Sequence, residues 1–238
     1  MNDWLNWNGV RSTEMGIYVI EQPPITIPEE RIAFEEVRGR SGALARTEGQ
    51  QIYTDMVMPA ECLLRRPDDL GKVAAWLQGP GQVEFGNRPG GYYRARVVNQ
   101  IEFARVIAAN PQRRFTVNFR CQPGWIHRDV SDFTVTESGT EIRNPGTLPS
   151  LPRIEIAGQG SFMLSIGTNT VFLEDIDGGI ILDSELGDAL TPDGANLANR
   201  HWSGQPLVIN PGASFVTWTL DEGASVSSVK ISPRWQSL

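Results

Sequence analysis

Arg113-Arg114-Phe115-Thr116-Val117-Asn118-Phe119-Arg120-Cys121 is the stretch from which the fold is read. Phe115, Val117, Phe119 and Cys121 alternate with Arg114, Thr116, Asn118 and Arg120. A period of two sends the first set to a core and the second to water, so the stretch predicts a half-buried strand. Asn110-Pro111 ahead of it is a turn signal, which makes residues 101–108 the expected antiparallel partner. Residues 92–98 follow another turn, Gly86-Asn87-Arg88-Pro89-Gly90-Gly91, and are expected to pair with residues 83–85.

One helix is predicted among these strands. Leu70, Val73, Ala74 and Leu77 recur at i, i+3, i+4 and i+7, which builds one apolar stripe over about three turns. Asp68 or Asp69 would cap its start, where free N–H groups favour a carboxylate. Gly79-Pro80-Gly81 would stop it. Beyond Pro123-Gly124 no helical period returns. Short strands are expected at residues 133–136, 153–157, 162–166, 170–173, 179–183, 207–209, 215–220 and 228–232, a spacing that suggests a β-sandwich. Phe215, Val216, Trp218 and Leu220 suggest that both faces of their strand are covered. The expected fold class is mainly β, with a helix-bearing sheet domain over residues 1–124 and an all-β sandwich over residues 125–238.

The chain has 238 residues, enough for two ordinary domains. Its net charge of −7 argues against a protein that grips nucleic-acid phosphates. The longest apolar run, residues 73–77, falls far short of the roughly 18 residues a membrane span needs, so no membrane partner is expected. No basic start or apolar segment at the N-terminus points to a secretory signal. Cys62 and Cys121 lie too far apart for a zinc-site pattern and are expected to be two reduced, buried thiols.

Motifs for catalysis fail at the level of residues. Gly39-Arg40-Ser41-Gly42-Ala43 misses the nucleophile elbow because its fifth position is alanine, and reads instead as a glycine-rich loop where the backbone turns sharply. Gly158-Gln159-Gly160 opens a dinucleotide-type pattern, but Met163 stands at the sixth position, and a tight turn between two strands is the better reading. His127 and His201 are the only histidines and stand in different contexts. Glu174-Asp175-Ile176-Asp177-Gly178 and Asp183-Ser184-Glu185 lack calcium-loop spacing and are expected to be hairpin carboxylates facing water. Trp202, beside His201 in a polar loop, is the best candidate for stacking on a sugar ring. No catalytic, cofactor or metal site is expected. Binding or assembly is favoured over catalysis.

Several ordered motifs carry a resemblance. Trp7-Asn8-Gly9-Val10-Arg11-Ser12 is followed by Met15-Gly16-Ile17-Tyr18-Val19, Val37-Arg38-Gly39-Arg40-Ser41-Gly42-Ala43-Leu44, and Ala75-Trp76-Leu77. Tyr92-Tyr93-Arg94-Ala95-Arg96-Val97 and Phe115 to Pro123 close the first half. Asn144-Pro145-Gly146-Thr147, Leu151-Pro152-Arg153-Ile154-Glu155-Ile156, Ile181-Leu182-Asp183-Ser184-Glu185, Asn210-Pro211-Gly212 and Ile231-Ser232-Pro233-Arg234-Trp235 run through the second. Together they resemble the distal tail protein (Dit) family of phages with long, non-contractile tails. One departure is Ser41, where many relatives carry Asp.

The resemblance implies a tail-tube-like N-terminal domain, described as sandwich- or barrel-like, and a galectin-like C-terminal sandwich. It implies a structural hub at the virion tail tip, assembled in the host cytoplasm, in which six copies close a homohexameric ring. The tail tube protein, the tape measure protein and a tail-associated lysin, tail fibre or receptor-binding protein would be its partners, with DNA passing through without specific binding. Arg38, Gly39, Arg40, Ser41 and Gly42 become candidate interface or loop residues. Glu29, Glu30, Glu35 and Glu36 are candidates for an acidic channel lining that repels DNA. The alternative is a carbohydrate-binding adhesion module that recognises the host envelope through Trp202.

Overall fold

The computed structural model describes residues 3–47, 52–65, 70–106 and 111–238. The chain divides into two compact units, Met1–Arg128 with Leu238, and Asp129–Ser237. The division falls after Arg128 rather than at Gly124. Residues just beyond Gly124 continue the first unit because Ile126 pairs with Tyr92 and His127 with Gly91.

The first unit contains β1 (Leu5–Trp7), β2 (Val10–Arg11), β3 (Ile17–Glu21), β4 (Ile32–Glu35), β5 (Leu44–Thr47), β6 (Met56–Leu64), α1 (Leu70–Trp76), β7 (Pro80–Phe85), β8 (Gly91–Val97), β9 (Ala104–Arg105), β10 (Arg113–Cys121) and β11 (Trp125–His127). Its main sheet runs β2-β1-β7-β8-β10-β6-β3. The sheet curls toward closure, since Val19 on β3 donates its N–H to Asp3 O (2.8 Å), next to β1. Gln22 Nε2 adds a bond to Trp4 O (2.9 Å). Inside pack Trp7, Phe85 and Phe119, all but inaccessible to solvent, with ring centroids 5.3 Å apart for Trp7–Phe119 and 5.7 Å for Phe85–Phe119.

β10 has the alternation its sequence predicts, with Phe115, Val117, Phe119 and Cys121 buried. Its partner differs from the expected one. β6 pairs along its whole length, from Arg113↔Leu64 to Cys121↔Met56, whereas residues 101–108 contribute only Ala104 and Arg105 among the described residues. β6 tolerates Pro59 for a geometric reason. Asn118, opposite Pro59, turns its N–H to Asn99 Oδ1 and its carbonyl to Val98 N, so the Asn118–Pro59 pair is a non-hydrogen-bonded one. The position of the missing Pro59 donor then faces away from β10, where β3 has already ended at Glu61.

Among the described residues the helix runs Leu70–Trp76, so Leu77 of the expected stripe lies just past its end. Val73 and Leu77 are buried, but Ala74 is exposed, and Pro80 begins β7 rather than a loop. The expected caps Asp68 and Asp69 lie outside the described residues, as does Asn110 of the expected turn. Asn8 and Gly9 explain the first quoted motif. Both hold positive φ, 53° and 83°, which turns β1 into β2 in a two-residue hairpin.

The second unit contains β12 (Phe133–Val135), β13 (Thr140–Asn144), β14 (Arg153–Ile166), β15 (Asn169–Ile176), β16 (Ile180–Asp183), β17 (Asp188–Leu190), β18 (Trp202–Gly204), β19 (Gly212–Leu220) and β20 (Ser225–Ser232). β14 belongs to two sheets. Its first half lies between β20 and β16, with Ile154 opposite Ile231 and Leu182. Its second half lies between β19 and β15, with Leu164 opposite Trp218 and Val171. Ile154, Ile156, Phe162, Leu164 and Ile166 from both halves enter one core.

Gly158-Gln159-Gly160 is therefore not a turn between two strands but the bend inside one. The pairing register shifts on both sides of it. A Cβ at Gly158 would lie 2.5 Å from Ser225 O, and one at Gly160, whose φ is +85°, would lie 2.8 Å from Ala224 Cα. Glycine alone lets the neighbouring backbone come this close. Residues 207–209 form no strand, only an isolated bridge from Ile209 to Ser150. β19 is covered on one face, since Ser214 and Val216 are buried while Phe215 and Thr217, on the other face, are exposed. Asn144 is buried and donates to Leu148 O (3.0 Å) and Ile209 O (2.9 Å), while its Oδ1 accepts from Gly146 N (2.8 Å). That network accounts for Asn144-Pro145-Gly146.

Candidate functional site: a two-stranded arm

Among the described residues β4 and β5 pair only with each other, with Ile32↔Thr47, Ala33↔Arg46, Phe34↔Ala45 and Glu35↔Leu44 in register. The hairpin is continued at its base by Arg31 N to Ile52 O (2.8 Å) and Thr54 N to Glu29 O (2.8 Å). Alternation gives it two faces. Ile32, Phe34, Ala45 and Thr47 share one; Ala33, Glu35, Leu44 and Arg46 share the other. Glu35 and Arg46 form an ion pair at 2.7 Å on the second face. On the first face Ile32 is half-buried, while Phe34 is 71% exposed.

A two-stranded hairpin is marginal by itself in water, and an exposed aromatic on its face normally finds a partner. Ile25 and Ile27, in the segment leading to the arm, are exposed at 60% and 77%. Arg38, Gly39, Arg40, Ser41 and Gly42 sit at the tip, all exposed. Arg40 N bonds to Val37 O (3.2 Å), and Gly39 and Gly42 hold φ of +81° and +80°, so the loop needs its glycines to turn. Glu29, Glu30, Glu35 and Glu36 also belong to this arm and are exposed. Arg31, Arg38, Arg40 and Arg46 are interspersed among them, so the arm is not a one-sign surface.

The other candidate residues separate. His127 is in β11 of the first unit, where burial and then Arg88 hold its imidazole below the usual histidine range. His201 is in the second unit, with Nδ1 2.9 Å from Glu174 O and Nε2 2.9 Å from Arg200 Nε. With Arg200 donating to Nε2, the proton belongs on Nδ1, and neither nitrogen is open to act as a base. Trp202 is half-buried, packs against the second core, and points Nε1 at Asn199 Oδ1 (3.4 Å). Cys62 and Cys121 are free and buried, and burial pushes both thiols up to about 12.

The acidic stretch needs a correction. Asp183 does not face water. It is buried and takes a bidentate grip from Arg234, Nη1–Oδ1 2.7 Å and Nη2–Oδ2 2.8 Å, while accepting the Glu185 N–H at 3.1 Å. The hydrogen bonds from Arg234 hold its carboxyl below the usual carboxylate range. This is a structural ion pair. The sequence reading missed it because its two halves lie 51 residues apart. Among the described residues, no group of three or more His, Cys, Asp or Glu could hold a metal ion, and no helix is long and apolar enough to cross a membrane.

With this geometry in view, the fold has a counterpart among solved structures. The crystal structure of SPP1 Dit (gp 19.1), described as a paradigm of the hub adsorption apparatus in phages infecting Gram-positive bacteria, superposes with a TM-score of 0.75. The match covers 96% of this chain and 97% of that one at 13% identity. The phage p2 baseplate, in its activated conformation with Sr, matches over 91% of this chain and 90% of its own at 8% identity and a TM-score of 0.48. No protein-family model matches the chain, and no curated protein does. The chain has a Dit-like fold along nearly its whole length.

Proposed function

We propose that this chain is a structural component of the distal tail of a phage with a long, non-contractile tail. Six copies close a ring that continues the tail tube and carries a tail-associated lysin, fibre or receptor-binding protein below it. The observation that carries this reading is the full-length likeness to SPP1 Dit, the protein described there as a hub of the adsorption apparatus. The uncovered arm supports it, because an extended hairpin with an apolar face is a means of joining like subunits. The second unit, read as a galectin-like sandwich, serves as an attachment surface. The function is assembly rather than catalysis. The half-buried, core-packed setting of Trp202 gives sugar stacking no particular support.

Antibodies raised against residues 129–237 test the location on virions that contain this chain. Labelling confined to the tail tip is the expected result. Label along the tube or on the capsid, with none at the tip, overturns the reading.

A further inference from the structure

Two adjoining clefts on the first unit share Arg96. One, about 530 Å³, is lined by Ala74, Leu77, Val97, Ile101 and Phe103 and has an apolar character. The other, about 510 Å³, is lined by Arg94, Arg96, Arg120 and Gln82 together with Asp55. Gly79 of the first cleft and Pro80 of the second are neighbours in sequence, so the two make one groove that is apolar at one end and basic at the other.

Arg96 stands directly opposite Arg120 across the β8–β10 pair. Like charges so placed oppose each other, and Arg120 is engaged by Asp55 at 2.7 Å, which leaves Arg96 facing a like charge. Among the described residues, Arg96 has no ion-pair partner and neither has Glu36. The arm carries the complementary sequence: the exposed Phe34, then the carboxylate of Glu36. Arm and groove are different surfaces of one unit. A contact between them on two copies is therefore heterologous, the kind that propagates head to tail and closes a ring.

We propose that the groove around Arg96 is the seat for the arm of a second copy, with Phe34 against the Ala74–Val97–Phe103 end and Glu36 opposite Arg96. The inference rests on the ring reading above and adds the surface that receives the arm.

The test mixes two full-length variants, Val37→Cys and Gln78→Cys, under mild oxidation with diamide. Cys62 and Cys121 are buried and stay silent. A disulfide-linked dimer is expected in the mixture, and neither variant alone should form one. Adding Arg96→Glu to the Gln78→Cys copy should reduce the yield about tenfold through like-charge repulsion, and Glu36→Arg on the Val37→Cys copy should restore it. Six-fold rings without this cross-link, or with a yield indifferent to both charge changes, overturn the groove while leaving the ring intact. No self-association at concentrations well above the micromolar range, and no cross-link, overturn both.

Discussion

Asp183 and Arg234 tie β16 to the C-terminal segment of the second unit, and the pair sets an acid limit on that unit. The folded-state pKa of Asp183 is depressed, so its contribution is complete above the unfolded value near 3.9 and fades as pH falls through the folded value. Urea midpoints should therefore drop from about pH 5 downward in the wild type. Asp183→Asn should be destabilised by about 2–3 kcal/mol near neutrality, less than for a fully buried pair because Arg234 keeps 26% of its side-chain surface in water. The variant's pH dependence should be shallower over the same window. Equal slopes for the two proteins would remove Asp183 from the account. The sequence did not reveal this pair, because no local pattern links Asp183 to Arg234.

At the scale of elements, the arm and the bent strand make opposite demands on their residues. Phe34→Asp removes an exposed ring, so the stability of the isolated chain should move by no more than about 0.5 kcal/mol. Self-association should be lost; sedimentation at rising concentration reads the association, and a urea titration reads the stability, each against the wild type. Gly160→Ala strains a backbone at φ +85° and drives a Cβ against Ala224, so it should cost roughly 1–3 kcal/mol. Gly223→Ala shares the positive φ but meets nothing within 4 Å, and should cost less in the same denaturation series. Elements with clean alternation were legible. β10 is the example, because one of its faces is wholly buried. β6 also alternates, but Pro59 disguises it as a non-strand. β14 reads as two strands because its bend is built of the glycines that normally mark a turn. The arm gave no periodic signal, since among the described residues neither of its faces contributes to a buried core.

For the whole molecule, the two cores are separate sets of residues, one in each unit. A fragment of residues 129–237 should therefore fold alone and unfold cooperatively, checked by near-ultraviolet circular dichroism through a urea titration. A fragment without a transition would mean that the second core depends on the first. Composition and charge argued against a phosphate-gripping or membrane-spanning protein, and the failed catalytic motifs favoured binding or assembly over catalysis. The ordered motifs carried the likeness further than any single residue could, because turns such as Asn8-Gly9 and Asn144-Pro145-Gly146 are each demanded by the fold. The arm's role and its groove lay beyond the sequence, since exposure and the meeting of distant strands exist only in three dimensions.

Copies of this chain should lock onto one another in solution, which light scattering on the purified full-length protein, with negative-stain images of the same sample, can decide. A closed six-fold ring of about 158 kDa, six times 26.3 kDa, is expected, and Phe34→Asp should convert it to single chains. A wild type that stays a single chain of 26.3 kDa at every concentration, or a ring untouched by Phe34→Asp, would contradict it.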